Sequence, residues 1–300
     1  MSNLRMYAYE DESFIKGIAK MHTESDIMIY GRKEDRGNLT VFMPSRYPDK
    51  ISSMTDAMTL SHVNIINGKV LNSYLGENLL CADLMGKREG YITVDQTTDR
   101  ERLKSILKSS NLSEYTIFEG SSMDLINQVH WPEHSSTDQK TSVIIDHFFK
   151  VKSVGTVILG FVLSGKLTKH QELYLSPGKK RIQVKSIQMN DVDFNEADVG
   201  SRVGLSLKNA EVEDIQRGSF LSEVPVDTIS SISGEVIFHP TVPADLRKDG
   251  EVFVAGDFIY SRGVMEEGVI KMDKAILPRK EYILVRPNSK PRIVGKIIVK

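Results

Sequence analysis

The sequence predicts an N-terminal α/β domain followed by two all-β domains. Its pattern of apolar residues changes from mixed helix and strand to strand alone near residue 130, and a second group of strand-like runs begins near residue 229. Residues 1–130 alternate short apolar runs with amphipathic helical patterns, which is typical of a mostly parallel sheet covered by helices. Beyond a Pro-, Ser- and charge-rich linker at residues 131–141, strand-like runs alternate apolar and polar residues between turn signals. Such runs indicate a closed β-barrel at residues 142–224 and a smaller β domain at residues 229–300.

The α/β half has five candidate strands and five candidate helices. The predicted strands are residues 4–8, 26–30, 40–43, 62–66 and 91–94, and the predicted helices are residues 14–21, 49–60, 75–84, 100–108 and 123–129. Two of the runs, "SHVNII" and "GYITV", are short and apolar throughout, as buried parallel strands are. The stretch "GRKEDRGN" has a glycine at each end, so a phosphate cradle is an alternative to a hairpin turn. It lacks a Lys-Ser/Thr pair and lies between two strands, which favours the hairpin.

The β half is marked by runs such as "SVIIDHFFKV", "GTVILGFVLSG", "KRIQVKSIQM" and "SRVGLSL". Between two of them, "SPGKK" predicts a hairpin turn, because Pro177 fixes φ and Gly178 permits a positive φ. A further set, which includes "GEVIFHP", "EVFVAG" and "EYILVRP", forms the second block from Ile229 onward.

Composition excludes several classes of protein. The chain is 40% hydrophobic and 26% charged with a net charge of -1, so no global electrostatic attraction to nucleic acid exists, although a local basic face could form one. The single cysteine, Cys81, lies in an apolar helical pattern and is expected to be a buried, unreactive thiol. No apolar run is long enough to cross a membrane and no signal-peptide pattern begins the chain. We therefore expect a cytoplasmic protein with neither a membrane nor DNA as partner.

The stretch from Phe148 to Glu223 resembles domain 2 of the translational GTPases, of which elongation factor Tu and the selenocysteine-specific elongation factor are the nearest types. "VKSVGTVILGFVLSG", "ADVGSRVGLSLKN" and "VEDIQRGSFLS" resemble the family's landmarks in the family's order. Glycines at these places suit the bends and close approaches of a small barrel. The resemblance implies that residues 1–130 are similar to a G domain and that "PRIVGKIIVK" is the last strand of a third domain.

The first turn departs from the family's phosphate-binding motif. Ala8 and Ser13 stand at the two motif glycines, Phe14 stands at the lysine, and Ile15 stands at the hydroxyl that binds Mg²⁺. Carboxylates at residues 10–12 would face the phosphates of a nucleotide. Two like unit charges about 4 Å apart repel by ~4 kcal/mol at an effective dielectric constant of about 20. We therefore expect this turn to repel a triphosphate.

The other nucleotide motifs depart as well. Met43 stands at the metal-linked aspartate, Arg46 at the glycine that meets the γ-phosphate, and Tyr47 at the histidine that positions water. Gln96 stands at the asparagine of the base-reading motif, whose aspartate is kept as Asp99. The resemblance therefore implies a degenerate nucleotide site without a bound cofactor, and we expect no GTPase activity.

The same resemblance implies contact with RNA through the barrel. Arg202 and Arg217 stand at positions where related factors carry arginine, so they are candidate RNA-binding residues. Arg217 is equally a candidate structural partner of Glu213 or Asp214. The basic stretches "KSILKSSN" and "SPGKKRIQVK" are either solvated faces or contacts to an RNA backbone.

Metal and hydrolase sites have weaker support. His130, His134 and His147 form the one histidine cluster, but it lacks the cysteines or rigid element that a zinc site uses. Asp191 and Asp193 lack the spacing of a calcium loop, and no G-x-S-x-G motif exists. We expect no metal.

The sequence thus predicts a protein similar to translation elongation factors but without a working GTPase site. Such a protein would bind tRNA, the ribosome or another translation factor as a non-switching adaptor or regulator. The alternative is a GTP-binding elongation factor of the selenocysteine type with an unorthodox nucleotide site, and a third possibility is a purely protein-binding module.

Overall fold

The computed structural model describes residues 2–132 and 139–300. The chain divides into two compact units. One unit comprises the described parts of Met1–Asn3, Pro132–Ser230 and Ala275–Pro278, and the other comprises Leu4–Trp131, Ser231–Lys274 and Arg279–Lys300. The second unit therefore joins the α/β half to most of the C-terminal β block. The boundaries predicted from sequence for the separate domains stay predictions.

The N-terminal half is built on a seven-stranded sheet with the order β2-β3-β4-β1-β5-β6-β7. Its strands are β1 (Ser2–Tyr9), β2 (Lys20–Thr23), β3 (Met28–Glu34), β4 (Gly37–Met43), β5 (Val63–Asn67), β6 (Gly90–Thr93) and β7 (Thr116–Phe118). Strands β1, β5, β6 and β7 pair in parallel, whereas β2, β3 and β4 pair antiparallel. Strand β6 is buried along its whole length, as its apolar run predicts.

The helices of this half are α1 (Glu12–Lys16), α2 (Ile51–Thr59), α3 (Ser73–Leu84), α4 (Arg100–Lys108) and α5 (Ser122–Gln128). Three of them begin at side chains that accept a hydrogen bond from the first turn. Asn72 caps α3, Asp99 caps α4, and Ser121 forms a capping box with Asp124 at α5. The core under the sheet combines the apolar faces of β1 and β5 with Ile15 and Leu125 from the helices.

One predicted helix is wrong over part of its length. Periodicity predicts a helix at residues 14–21, but α1 ends at Lys16 and residues 20–23 form strand β2. Strand β2 pairs with β3, and this non-local pairing overrides the helical pattern. The other four helices lie where they were predicted, with ends that differ by at most two residues.

The hairpin interpretation of "GRKEDRGN" is confirmed. Strands β3 and β4 pair in register up to Glu34 and Gly37, so the stretch turns tightly between two strands. It therefore lacks the strand–helix context that a phosphate loop needs.

A first barrel follows the linker. This region contains β8 (Ser142–Val151), β9 (Gly155–Ser164), β10 (Leu167–Thr168), β11 (Glu172–Ser176), β12 (Lys180–Met189), β13 (Val192–Phe194), β14 (Glu196–Ala197), β15 (Arg202–Lys208) and β16 (Phe220–Ser222), of which β10 and β14 pair with each other as a separate small sheet. The order β11-β16-β8-β9-β15-β12 is closed by pairing between β11 and β12. The predicted hairpin at Pro177 and Gly178 joins these two strands, and Gly178 has a φ of 111°. Inward-facing residues such as Ile145, Leu205 and Leu221 form the core.

The second barrel completes the fold. It closes in the order β17-β20-β19-β18-β21-β22, with β17 (Ile229–Phe238), β18 (Gly250–Gly256), β19 (Ile259–Glu266), β20 (Val269–Ile276), β21 (Glu281–Val285) and β22 (Ile293–Val299). Short 3₁₀ turns lie at Val212–Asp214 in the first barrel and at Ala244–Leu246 in the second. The fold class predicted from sequence, an α/β sheet followed by two β-barrels, is confirmed.

The structure also bears on the predictions for Cys81 and for membrane-spanning segments. Cys81 is fully buried in α3, and burial raises the pKa of its thiol, as expected of an unreactive cysteine. Across residues 2–132 and 139–300, no helix combines the length and the apolar character that a membrane crossing requires.

Candidate functional site: the carboxyl edge of the α/β sheet

The candidate site lies where parallel strands β1, β5 and β6 end. Ligands of α/β proteins bind outside the carboxyl ends of such strands, because the loops that follow them meet there. Here the three strands end at Tyr9, Asn67 and Thr93. The acidic turn that begins with Glu10 follows the first of them, so it lies at the position that a phosphate group takes in nucleotide-binding folds.

Glu10 turns inward rather than toward solvent. Its side chain is fully buried. Oε1 accepts hydrogen bonds from Asn67 Nδ2 at 2.8 Å and from the Asp11 backbone N–H at 2.9 Å. Oε2 accepts a hydrogen bond from the hydroxyl of Thr93. One carboxylate thus joins the ends of β1, β5 and β6, which satisfies its hydrogen-bonding capacity away from water.

Lys69 supplies the balancing charge. Its Nζ lies 3.3 Å from Glu10 Oε1 and 3.1 Å from Asp11 Oδ2. Burial alone would lower the pKa of Lys69, but the hydrogen bond to Asp11 and the charge of Glu10 raise it above its ordinary value. Asn67 Oδ1 accepts a hydrogen bond from the Lys69 backbone N–H at 3.0 Å, which fixes the turn that carries the lysine. Lys69 therefore balances one of the two negative charges that Glu10 and Asp11 bring to this turn.

The third carboxylate of the turn has separate partners. Glu12 accepts a hydrogen bond from the Tyr30 hydroxyl at 3.1 Å and pairs with Lys16 at 2.9 Å. The expectation that residues 10–12 all face an incoming phosphate is therefore replaced by a turn whose carboxylates are bound within the chain.

The residues predicted at the phosphate-binding motif are part of the fold's interior. Ala8 and Ile15 are fully buried, and Phe14 packs against the same core. Ser13 is exposed in α1, which is only five residues long. Apolar side chains thus stand where the sequence resemblance predicts the positions of a lysine and a metal-binding hydroxyl.

The remaining predicted site residues are spread along the same edge. Met43 ends β4 and packs against the core, while Arg46 is exposed. Gln96 is exposed in the loop after β6. Asp99, the residue kept from the base-reading motif, accepts a hydrogen bond from the Arg102 backbone N–H at 3.0 Å as the cap of α4. The structure does not test whether any of them contacts a nucleotide, and their assignment stays a prediction.

A second network, which the sequence did not reveal, fixes the segment between β4 and α2. The hydroxyl of Tyr47 donates to Glu77 Oε2 at 2.9 Å. Arg292, in the loop before β22, donates through Nε and Nη2 to the two oxygens of Glu77 at 2.9 and 2.6 Å, and through Nη1 to the Pro48 carbonyl at 2.7 Å. Burial alone would raise the pKa of Glu77, but the hydrogen bonds from Arg292 hold it below its ordinary value.

A cleft of about 810 Å³ adjoins this network. Its walls come from the segment before α2, from α3, from the loop after β17 and from the loop before β22; they include Pro48, Tyr74, Thr241, Asn288 and Lys290. Nearby, His239 Nε2 lies 3.1 Å from Asp83 Oδ2 and joins the second barrel to α3. The segment with Tyr47, which the sequence resemblance assigns to a water-positioning motif, thus forms polar contacts with Glu77 and with Arg292 of the second barrel.

The predicted RNA-binding residues lie in the first barrel. Arg202 is only 16% exposed, and its Nη2 lies 3.7 Å from Asp146 Oδ2. Burial lowers the pKa of Arg202, which the charge of Asp146 opposes. Arg217 is half-buried, and Asp214, one of its two candidate partners, pairs with Lys180 at 2.5 Å. RNA contact by Arg202 and Arg217 stays a prediction.

The predicted basic stretches carry their own counter-ions. Lys179 pairs with Asp227 at 2.9 Å, Arg181 with Glu172 at 3.3 Å, and Lys104 with Glu101 at 2.7 Å. A solvated face with exposed ion pairs accounts for these contacts.

The histidine cluster is only partly described. His134 lies outside the described residues. Among residues 2–132 and 139–300, no three histidine, cysteine or acidic side chains converge as metal ligands would. Whether the protein binds a metal stays a prediction.

Comparison with known proteins adds the family context. Residues 155–222 match the model of elongation factor Tu domain 2. An uncharacterized protein of Methanocaldococcus jannaschii is 31% identical over 292 residues, which cover 93% of this chain and 94% of that protein. The selenocysteine-specific elongation factor of the same organism is 41% identical over 78 residues, or 26% of this chain and 17% of that factor.

Among solved structures, the chain is similar to translation elongation factor SelB from Methanococcus maripaludis in complex with the GTP analogue GPPNHP. The TM-score is 0.83 at 18% identity, and the match covers 100% of this chain and 79% of that chain. At this identity the likeness shows the fold. The match to the elongation factor Tu domain 2 model lies inside the stretch that the sequence motifs predicted.

Proposed function

The chain belongs to the translational GTPase family, and from that membership we propose that it acts in translation as a non-switching adaptor or regulator that neither binds nor hydrolyses a guanine nucleotide. Its proposed partner is tRNA, the ribosome or another translation factor, and its proposed place of action is the cytoplasm. Its relatives include selenocysteine-specific elongation factors, and this supports a partner from the translation machinery.

One observation carries the proposal: the buried carboxylate of Glu10 occupies the edge at which a nucleotide phosphate would have to bind. A phosphate at that edge would have to displace the Glu10 carboxylate from its donors and would lie beside the exposed carboxylate of Asp11. Like charges about 4 Å apart repel by ~4 kcal/mol at an effective dielectric constant of about 20. The lysine that balances these carboxylates, Lys69, is already engaged by both.

The loss of switching follows from the same chemistry. Switch segments of GTPases are ordered by contacts with the γ-phosphate and its Mg²⁺ and are released on hydrolysis. At the corresponding place this chain has Tyr47, which is bound to Glu77, which in turn is bound to Arg292. A segment held by contacts within the chain has no need of a nucleotide to stay ordered, so the adaptor would keep one conformation.

The proposal is tested by sedimentation of native lysate on sucrose gradients. We expect the protein to comigrate with a ribosomal subunit or with tRNA at low salt, and to move to the top of the gradient as salt rises, because contacts to phosphates release counter-ions. Addition of GTP or a non-hydrolysable analogue should leave the profile unchanged. A protein that stays at the top at every salt concentration, or whose profile responds to the analogue, would overturn the proposal.

Nuclease treatment separates the classes of partner. If the protein no longer comigrates with the ribosomal subunit or tRNA after RNase digestion, its partner is RNA. Comigration that survives digestion with free translation factors identifies a protein partner instead.

A further inference from the structure

The fully buried Glu10 carboxylate is surrounded by donors from three segments of the chain. These donors are Asn67 Nδ2, the hydroxyl of Thr93, the Asp11 backbone N–H and Lys69 Nζ. Asn67 ends β5, Lys69 follows in the next turn, and Thr93 ends β6. Burying a carboxylate is favourable only when it is paired and hydrogen-bonded in this way.

We infer that Asn67, Lys69 and Thr93 form a binding site for a small oxyanion, which Glu10 occupies as an intramolecular ligand. The assignment deepens the proposed function and rests on it, because it names the group that keeps the edge closed. It adds a site with a definite ligand chemistry, a carboxylate or phosphate group held by one ammonium, one amide and one hydroxyl.

The donors are held in place independently of Glu10. Asn67 ends β5, and its Oδ1 accepts a hydrogen bond from the Lys69 backbone N–H, which orients Nδ2 toward the carboxylate. Thr93 ends β6, a strand that pairs with β5 and β7. Lys69 lies in the bend after β5, and its Nζ keeps a second partner, Asp11 Oδ2 at 3.1 Å. A site whose donors have such supports of their own remains formed when its occupant is removed.

Removal of the Glu10 side chain should therefore leave a receptor for a free anion. Substitution E10A deletes the carboxylate and one methylene group together with it. The space and the donors then suit acetate, and phosphate offers the same oxygen chemistry in a larger group. Binding of either to the native state alone raises its melting temperature with a saturable dependence on concentration.

The experiment measures thermal melting of the full chain as wild type, E10A, E10Q and E12A. Each is titrated with acetate or phosphate against chloride at matched ionic strength. We expect E10A to melt about 5–10 °C below wild type in chloride, because Asn67 Nδ2, the Thr93 hydroxyl and the Asp11 backbone N–H lose their acceptor. Acetate or phosphate at about ten times its dissociation constant should restore about 3–6 °C of that loss.

The controls isolate the site. E10Q keeps the space filled, so it should not respond to the anions beyond the response in chloride. E12A removes the same charge from the same turn, but its carboxylate is 42% exposed and bound elsewhere, so it should behave as wild type does. The double variant E10A/K69M should lose the rescue.

Two outcomes contradict the assignment: an equal anion response in E10A and wild type, or rescue that persists in E10A/K69M. If E10A is recovered unfolded, the readout becomes refolding into acetate, phosphate or chloride, followed by the fluorescence of Trp131. Refolding favoured by the oxyanions supports the site, and no preference overturns it. If the anions do not rescue E10A and GTP does not shift the melting temperature of wild type, this site is excluded while the proposed function stands.

Discussion

Arg292 binds Glu77 through its backbone N–H and through two guanidinium nitrogens, across 215 residues of chain. Glu77 lies in α3, and its side chain is only 9% exposed. The guanidinium also contacts the Pro48 carbonyl and lies 5.6 Å from the centre of the Tyr47 ring. This contact joins the segment after β4 to the second barrel in a single compact unit.

Removal of the arginine should be costly. In R292A the Glu77 carboxylate stays largely buried without its cation, so we expect the free energy of unfolding to fall by about 2–4 kcal/mol. R292K should recover only part of the loss, because an ammonium cannot donate in the same forked geometry. Urea unfolding measures both.

The matched control is R262A in the same barrel. Arg262 pairs with Glu251 and Asp273 but is 51% exposed, so its loss should cost less than about 1 kcal/mol. Equal costs for R292A and R262A would contradict the assigned role of Arg292.

The same pair predicts how stability depends on pH. Because the hydrogen bonds from Arg292 outweigh burial and lower the pKa of Glu77, the folded state binds this proton less readily than the unfolded state. The stabilisation is complete above the unfolded-chain value of about 4.3 and is lost as pH falls through the lower folded pKa. E77Q should therefore be less stable than wild type at neutral pH, and the difference should shrink in acid. A difference that stays constant from about pH 7 to about pH 3 would exclude this linkage.

Substitution of two glycines by alanine should change the free energy of unfolding in opposite directions. A Cβ at Gly160 would lie 2.3 Å from the Ile144 carbonyl oxygen of the neighbouring strand, so G160A must displace backbone in the first barrel. We expect a loss of about 2–4 kcal/mol. At Gly76 in α3 nothing lies within 4 Å of a new Cβ, so G76A should stabilise by about 0.5–1 kcal/mol through helix propensity. Chemical denaturation of both variants tests the sign, and destabilisation by G76A would contradict the structure around α3.

Much of the fold follows from local patterns. Period-two alternation and turn residues identify the strands of the first barrel, and apolar periodicity identifies four of the five helices. The pattern failed at β2, whose pairing with β3 depends on a partner strand rather than on its own residues. The departures at Phe14 and Ile15 were visible because a known motif fixes what should stand there.

The contacts that define the site could not be predicted from the sequence, because they join residues that are distant along the chain. Lys69 lies 59 residues from Glu10, and it is one lysine in a turn after a strand, with nothing in its neighbourhood to indicate a partner. Tyr47 could be placed at a motif position, but its bond to Glu77 depends on the packing of α3. The sequence shows three acidic residues where the motif is missing. Only the structure shows that the side chain of Glu10 points into the protein.

Cys81 gives a simple test of the α3 packing. It is fully buried and burial raises the pKa of its thiol, so a thiol reagent such as 5,5′-dithiobis(2-nitrobenzoate) should not react with the native protein. Denaturant should expose one reactive thiol per chain. Rapid reaction under native conditions would contradict the packing described for this helix.

The central claim is that the chain does not bind a guanine nucleotide, and thermal melting with saturating GTP and Mg²⁺ tests it most directly. A selenocysteine-specific elongation factor serves as the positive control and ATP with Mg²⁺ as the control for unspecific effects. GTP at 100 times its dissociation constant would add about 2.7 kcal/mol to the free energy of unfolding, which raises the melting temperature of a domain of this size by several degrees. The account predicts a melting temperature within about 1 °C of the nucleotide-free value. A saturable increase that GTP causes and ATP does not would contradict it.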